Sequence, residues 1–325
     1  MITLPGLRGD DPLGFFAALG LLSLSELELL PDLTLAWAQD QGLAASIGGV
    51  TSRKDLSGAL DSAFHRLRGE ETPLPCGLAD FPPRKHGSAG SDPIRLPPDR
   101  MAEHFTAAER HSSGKSWAAR WIIALSSQMS LRPKGDVDLT PFYAPTGQMT
   151  MRRSIFDAVA EAVEEIGSPT DALTAWRRTS FDGANFDYRA IRDGAVTTNG
   201  KPSNQGAPSP TWLATMAIPF FPLVDTSHGA SAVGWQRAWL YAGYTSRSFV
   251  WPLWKQPLDS AAARIMVSHE ALRLKEQVRN ERTPPRLLSD IPMRGLGVFA
   301  VYGASRRTLS QGDGPLGPGL KLWPA

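Results

Sequence analysis

The sequence predicts an α+β fold that is rich in helix, with a small mixed or antiparallel sheet and long loops rich in proline and glycine. Three observations lead to this class. Apolar residues recur at helical spacing in segments such as 149–166, whereas segment 33–37 alternates as a half-buried strand does. Prolines and glycines interrupt segments 72–98 and 194–210, where neither a helix nor a central strand can continue.

The length and charge of the chain limit its organisation. With 325 residues the chain supports one large domain or two modest ones, and its 34 basic residues against 32 acidic ones give almost no net charge. We predict three portions that can form one compact unit. They are an N-terminal α/β portion ending in a proline-rich loop (1–98), a helical basic portion (99–193), and a loop followed by a C-terminal α+β portion (194–325).

Cysteine content and hydropathy predict a cytoplasmic protein. Cys76 is the only cysteine, which excludes an intrachain disulfide framework and a cysteine-rich zinc site. The apolar run 13–24 is shorter than the ~20 residues that a membrane span needs, and apart from Arg8 no basic segment precedes it as in a signal peptide. We expect this run to lie in the core, and we expect no membrane partner.

The first predicted helix begins near Pro12. Asp10 or Asp11 can cap its free amides, and proline suits its first turn. Apolar residues then occupy nearly the whole circumference, so we expect this helix to be buried on all sides.

The remaining elements follow from periodicity, capping residues and prolines. In chain order they are a strand at 33–37, helices at 52–67, 99–109, 116–129 and 149–166, a short helix at 171–178, a helix at 210–221, strands near 232–241 and 247–251, a helix at 259–282 and a strand at 297–302. We expect segment 72–98 to be a surface excursion and the glycine-rich segment 311–319 to be a flexible tail.

The sequence contains no recognisable catalytic motif, so we expect a protein that is not an enzyme and binds no cofactor or metal. Gly114, Lys115 and Ser116 match the end of a phosphate-binding P-loop, but the glycine required five residues earlier is replaced by Glu109. An ordinary helix start capped by Ser113 and a non-hydrolytic phosphate contact both stay open. The histidines show no metal-binding spacing, and no Gly-x-Ser-x-Gly elbow occurs. Catalysis is therefore unsupported rather than excluded.

Basic residues interleaved with aromatic ones predict a nucleic-acid surface in the middle of the chain. Segment 110–153 carries seven basic residues against two acidic ones. If these side chains converge in space, they can neutralise phosphates and make binding strongly dependent on salt. Alternatively, Trp117 and Trp121 belong to the core and the basic side chains form a solvated rim. The predicted contacts are Arg110, Lys115, Arg120, Arg132, Lys134, Gln148, Arg152 and Arg153.

A second candidate is the loop 197–206, which is rich in small polar side chains. Asn204 and Gln205 can read base edges with paired hydrogen bonds, and Lys201 can approach a phosphate or a guanine. The composition of the loop permits an ordering on DNA that a packed segment could not undergo. The alternative is a mobile polar loop without a ligand.

Four segments resemble motifs of one known family. Segment 5–22 (Pro-Gly-Leu-Arg-Gly-Asp-Asp-Pro-Leu-Gly-Phe-Phe-Ala-Ala-Leu-Gly-Leu-Leu) resembles the N-terminal signature of the large-subunit-type CRISPR-associated proteins of subtype I-G loci, formerly called I-U. Segments 181–191 (Phe-Asp-Gly-Ala-Asn-Phe-Asp-Tyr-Arg-Ala-Ile), 212–222 (Trp-Leu-Ala-Thr-Met-Ala-Ile-Pro-Phe-Phe-Pro) and 249–254 (Phe-Val-Trp-Pro-Leu-Trp) are similar to later motifs in the same order. The chain departs from the family at 183–185, where Gly-Ala-Asn replaces a more acidic, arginine-rich run.

The resemblance implies a non-catalytic subunit of an RNA-guided, Cascade-like CRISPR surveillance complex. Such a subunit takes part in recognising target DNA with its short flanking motif and contacts the guide RNA. The partners it implies are guide RNA, target DNA, the backbone and handle-binding subunits, and a recruited helicase-nuclease that performs cleavage. Two alternatives stay open. One is a scaffold subunit of the same locus that docks through exposed tryptophans such as Trp235, Trp239, Trp251 and Trp254, and the other is an uncharacterised hydrolase or nuclease.

Overall fold

The structure has an α+β fold, as the sequence predicts, with helices packed around small antiparallel sheets. It is a computed structural model that describes residues 1–68, 81, 92–111, 117–143, 150–183, 186–196, 202–226, 229–241, 244–277, 285–289, 291–309 and 312–324. Buried apolar residues from the beginning, the middle and the end of the chain form one contiguous hydrophobic core.

The N-terminal elements form a three-stranded antiparallel sheet beside a buried helix. They are β1 (Ile2–Arg8), α1 (Pro12–Glu26), β2 (Thr34–Ala38), β3 (Ala44–Gly48) and α2 (Arg53–Arg68). The strand order is β1-β3-β2. Asp11 caps α1 by accepting a hydrogen bond from the backbone N–H of Leu13 at 2.9 Å, and every residue of the helix from Pro12 to Ser25 is buried. The predictions for the start and the burial of this helix are confirmed.

The middle of the chain adds helices and two antiparallel hairpins. The elements are α3 (Pro98–His111), α4 (Trp117–Leu125), β4 (Ser126–Leu131), β5 (Val137–Leu139), a π-helical turn (Arg152–Asp157), α5 (Ala158–Glu165), a 3-10 turn (Pro169–Leu173), β6 (Ile191–Val196) and β7 (Pro202–Asn204). The predicted helix 116–129 is too long. It ends at Leu125 because Ser126 and Ser127 pair with Leu139 and Asp138 in the β4–β5 hairpin.

The C-terminal part is built on a five-stranded antiparallel sheet. Its elements are α6 (Pro208–Met216), a 3-10 turn (Ile218–Phe220), β8 (Leu223–Thr226), β9 (Gly229–Ala232), β10 (Trp235–Arg237), β11 (Tyr244–Trp254), α7 (Ser260–Ser268), a 3-10 turn (Glu270–Leu272), α8 (Ile291–Gly295), β12 (Val298–Leu309), β13 (Gly312–Leu316) and β14 (Leu320–Trp323). The strand order is β10-β11-β12-β13, with β14 also paired to β12, while β8 and β9 form a separate hairpin.

Several predictions outside α1 are wrong for identifiable reasons. The helix predicted at 259–282 ends at Ser268, because His269 is extended and its Nδ1 accepts a hydrogen bond from the backbone N–H of Ala271. The tail predicted at 311–319 contains β13, which pairs with β12. The loop predicted at 194–210 contributes to the β6–β7 hairpin and to α6.

The segment 72–98 is not entirely a surface excursion. Among its described residues, Phe81 and Ile94 are buried in the hydrophobic core. The prolines prevent regular structure, but they do not prevent single apolar side chains from packing inward.

Two consecutive phenylalanines of α1 organise the aromatic core. Phe15 packs against Trp37 and Trp254, which brings the first sheet to the C-terminal sheet. Phe16 contacts Phe221 and Phe249 at centroid distances of 5.5 and 4.7 Å. Such aromatic contacts contribute beyond the area that they bury.

The contact between α1 and α6 depends on Gly20. A Cβ added at this position would lie 1.9 Å from the carbonyl oxygen of Leu213, a backbone atom that cannot move aside without displacing α6. The two helices therefore approach more closely than any other residue at this position would allow.

We expect Gly20→Ala to lower the free energy of unfolding by about 1–3 kcal/mol, because the added methyl overpacks the α1–α6 contact. Gly58→Ala is the matched control, since Gly58 is exposed in α2 and its added Cβ would meet no atom within 4 Å. That control should gain about 0.5–1 kcal/mol from helix propensity. Urea titrations of both variants measure the two effects, and a loss of similar size in both would contradict the close-approach argument.

Candidate nucleic-acid interface

Asp92 joins segments that are distant in sequence. Its Oδ2 accepts a hydrogen bond from the backbone N–H of Met151 at 2.7 Å, and its Oδ1 accepts one from Ile94 at 3.3 Å. Tyr143 hydrogen-bonds to the same carboxylate; burial, followed by this negative charge, raises the pKa of the tyrosine hydroxyl above its usual range. Asp92 therefore holds its own segment beside Met151, the residue that precedes the basic pair 152–153.

The β4–β5 hairpin presents basic residues at its turn. The backbone N–H of Arg132 donates to the carbonyl of Asp136 at 2.9 Å, and Arg132 Nη1 lies 3.3 Å from the Asp136 carboxylate. Gly135 has a φ of +83°, a left-handed conformation that favours glycine and permits the tight turn. Lys134 is exposed at this turn, and no carboxylate of the described residues lies within ion-pairing distance of it.

Arg95 lies beside this hairpin with an unused hydrogen-bond donor. The backbone N–H of Val137 in β5 donates to the carbonyl of Leu96 at 2.9 Å, which places Arg95 next to the hairpin. Burial, followed by repulsion from Arg132, lowers the pKa of the Arg95 guanidinium. Its Nη1 is buried, and no described residue provides an acceptor for it. The guanidinium therefore adds positive charge beside the hairpin, partly balanced by Asp138 and Asp92, while its Nη1 is closed to solvent.

The remaining predicted basic residues of this region differ in exposure and in their partners. Arg153 is exposed and has no carboxylate partner among the described residues, whereas Arg152 is mostly buried and lies 3.6 Å from the Asp157 carboxylate. Arg110 is exposed near the C-terminal end of α3, about 18 Å along the helix axis from Pro98. We define the hairpin basic surface as Arg95, Arg132, Lys134 and Arg153.

Arg120 belongs to a different surface from the hairpin. Its guanidinium pairs with Glu26 at the end of α1 and lies over the ring of Trp117. Trp121 is fully buried and Trp117 nearly so. These two rings belong to the core, as the alternative interpretation of the sequence held, and they do not offer faces on which bases could stack.

The second predicted site is only partly described. Lys115, Gln148 and Lys201 lie outside the described residues, as does the side chain of Asn204. The backbone of Asn204 pairs with Ile191 in the β6–β7 hairpin. The backbone N–H of Gln205 donates to the carbonyl of Ala190 at 2.5 Å, and the Gln205 carbonyl accepts a hydrogen bond from Arg178. The end of the predicted loop is therefore tied to neighbouring backbone.

The tryptophans predicted as a docking surface are mostly internal. Trp235, Trp251 and Trp254 are buried, and Trp239 is half-buried. The expectation that these side chains are exposed is wrong for the first three, because β10 and β11 turn them into the aromatic core.

A buried cluster of charges links the first and second motif segments. Arg178 Nη1 lies 2.8 Å from Asp187 Oδ2, and the backbone N–H of Arg189 donates to Asp187 Oδ1 at 3.0 Å. Arg189 Nη2 in turn lies 2.7 Å from Asp11 Oδ2. Burial raises the pKa of Asp11, although the charge of Arg189 opposes the effect. The four groups balance in charge.

The four segments that carry the family resemblance also meet in the core. Phe16 belongs to the first segment, and its ring contacts Phe186 at 5.6 Å, Phe221 at 5.5 Å and Phe249 at 4.7 Å, one residue from each of the other three. Motifs that are far apart in sequence therefore contribute to one structural unit.

No protein-family model matches the chain, and no curated protein matches its sequence. None of the helices among the described residues has the length and apolar character needed to cross a bilayer. In the same part of the chain, no three histidine, cysteine, aspartate or glutamate side chains are grouped so that they could hold a metal ion.

Proposed function

We propose that this chain is a non-catalytic subunit of an RNA-guided, Cascade-like CRISPR surveillance complex in the cytoplasm. It takes part in recognition of target DNA and its flanking motif and contacts the guide RNA, alongside the backbone and handle-binding subunits. A recruited helicase-nuclease performs cleavage. The resemblance of four segments supports this assignment, as does their convergence around Phe16.

The observation that carries the nucleic-acid contact is the concentration of positive charge at the β4–β5 turn, where Lys134 is exposed and Arg95 and Arg132 lie close enough to repel each other. A phosphate beside this turn relieves the repulsion between the two guanidinium groups. Lys134 and Arg153 are exposed to contact further phosphates along the backbone.

Contacts of this kind give affinity without sequence discrimination. Each neutralised phosphate releases counterions and contributes about 0.7–0.9 to the slope of log affinity against log salt concentration. The hairpin basic surface therefore binds and orients the nucleic acid, whereas the guide RNA reads the sequence by base pairing.

We expect Arg95→Met to weaken binding of a labelled RNA and a labelled DNA duplex to the purified protein while changing the melting temperature little. Arg95 Nη1 has no acceptor among the described residues and methionine keeps the apolar stem, so stability should change little, whereas the positive charge that attracts phosphates is lost. Lys134→Met should have the same effect on binding. Fluorescence anisotropy over a salt series should show the slope falling by about 0.7–0.9 in each variant.

Arg273→Met is the matched control, because Arg273 is exposed and has no carboxylate partner among the described residues. Equal affinities and slopes for all three variants would contradict the hairpin basic surface. Copurification of other subunits without any affinity for nucleic acid would favour the scaffold alternative. Cleavage that depends on a divalent metal would favour the hydrolase or nuclease.

A further inference from the structure

A surface groove lies between the end of α1, α4 and α7, on the surface that includes Arg120. It has a cavity volume of about 460 Å³ and is lined by Glu26, Arg120, Ile123, Phe220, Arg264 and Ile265. None of these residues belongs to the hairpin basic surface. We refer to it as the α1–α7 groove.

The walls of the groove carry unusually exposed aliphatic side chains. Ile265 on α7 is 68% exposed and Ile123 on α4 is 38% exposed, while Phe220 between them is buried. The face of α7 that contains Ala263, Met266 and Val267 is packed inward, so Ile265 is not needed for the fold. Large apolar side chains that rim a cavity are typical of interaction sites.

A fixed cluster of charges forms the polar end of the groove. Arg264 lies over the ring of Phe220, donates to the Pro219 carbonyl at 2.6 Å, and donates to Glu26 at 2.7 Å. Arg120 pairs with the other oxygen of the same carboxylate. Two guanidinium groups against one carboxylate leave a net positive charge. Arg120 is less buried than Arg264, so its remaining N–H donors are accessible at the mouth of the groove.

The ionisation of Glu26 keeps this cluster intact. Burial opposes ionisation of the carboxyl group, but hydrogen bonds from Arg264 and Arg120 outweigh it and hold the pKa of Glu26 below its usual range. The carboxylate therefore orients both guanidinium groups before any partner arrives, which reduces the cost of ordering them on binding.

We propose that the α1–α7 groove binds a segment of a partner protein that places an aliphatic or aromatic side chain beside a carboxylate. The apolar side chain would fill the space between Ile123 and Ile265. The carboxylate would pair with Arg120, because Glu26 neutralises only one of the two positive charges of Arg120 and Arg264. An apolar cleft that carries one excess positive charge is complementary to a peptide that is both acidic and hydrophobic.

The same features disfavour nucleic acid as the occupant. The walls are aliphatic, and the ring of Phe220 is covered by Arg264, so no exposed aromatic face is available to stack on a base. One excess charge at the end of an apolar cleft also provides little for a chain of phosphates. This inference is independent of the proposed nucleic-acid contact, because it concerns a separate surface.

The test is selection of a random peptide library displayed on phage against the full chain. Enriched peptides are synthesised with a fluorescent label, and their affinity is measured by anisotropy for the wild type and for Ile265→Asp and Arg120→Gln. Both variants should bind at least about tenfold more weakly, since each removes one of the two recognised features. Leu288→Asp is the matched control, because Leu288 is 62% exposed outside the groove, and it should bind like the wild type.

The proposal is supported if the enriched peptides combine an acidic residue with a large apolar one. They must also bind weakly to Ile265→Asp and to Arg120→Gln, and bind to the Leu288→Asp control as they bind to the wild type. Absence of enrichment, or equal binding to Ile265→Asp, would overturn the proposal. Self-association that Ile265→Asp abolishes in sedimentation velocity would assign the groove to a second copy of the chain. Competition by an oligonucleotide would assign it to nucleic acid. Melting curves of all variants ensure that only folded protein is compared.

Discussion

Replacing Arg306 by methionine is expected to lower the free energy of unfolding by at least about 3 kcal/mol. The side chain of Arg306 in β12 is only 2% exposed. Its Nη1 donates to the carbonyl of Gly314 at 3.1 Å, and its Nη2 donates to those of Pro141 and Phe142 at 2.8 Å each. Methionine fills similar space but leaves three carbonyls without this donor, at about 1–3 kcal/mol each when buried. The loss also removes the contact with the ring of Trp235.

Part of this loss is offset because a buried charge is removed. Burial lowers the pKa of Arg306 to about 9, so the guanidinium is still charged at neutral pH and its desolvation costs stability there. Arg307→Met is the matched control, since Arg307 is the next residue of β12, is only half-buried, and should change stability by less than about 0.5 kcal/mol. Guanidinium titrations giving equal midpoints for the two variants would show that the three carbonyls do not depend on Arg306.

The elements that sequence reasoning located correctly are those with local signals. The start of α1 follows from Asp11 and Pro12, which act on the backbone of the helix that they precede. Its complete burial follows from the apolar circumference, which requires no knowledge of the neighbours. The position of α2, Arg53–Arg68, follows in the same way from its apolar stripe.

The elements that were predicted incorrectly depend on pairing with residues that are distant in sequence. Nothing in segment 116–129 shows that Ser126 will pair with Leu139, and this pairing ends α4 and begins β4. Similarly, the helical pattern after Ser268 is real, but Leu274 forms a β-bridge with Leu287 instead. Periodicity describes which face of a segment is apolar, whereas pairing across the chain decides whether the segment is a helix.

The candidate site was only partly predictable for a related reason. Arg95 lies in a segment that its prolines marked as a loop, and its position beside the hairpin depends on contacts made by Asp92 and Leu96. Arg120 has the sequence context of a surface base, yet its partner Glu26 is remote in sequence. Sequence gives the number of charges in a region, but only the fold decides which of them are paired and which are free.

The buried charge cluster provides the second large effect: Asp187→Asn is expected to lower the free energy of unfolding by about 3–5 kcal/mol. Asp187 has no exposed side-chain surface and lies within ion-pairing distance of both Arg178 and Arg189. Asparagine has the same shape, so the substitution creates no cavity; it removes the charge and replaces one acceptor oxygen with an NH2 donor that faces other donors. Asp11 is then the remaining carboxylate beside Arg189, and the cluster carries a net positive charge.

Two further variants show whether stability is lost through the missing charge or through changed packing. Asp225→Asn is the matched control, because Asp225 is exposed and has no basic partner among the described residues, and it should change stability by less than about 0.5 kcal/mol. A double variant, Asp187→Asn with Arg178→Met, should recover part of the loss, since it restores charge balance in the cluster. Urea titrations in which the double variant is no more stable than Asp187→Asn alone would contradict the argument, because the loss would then not come from an unbalanced charge.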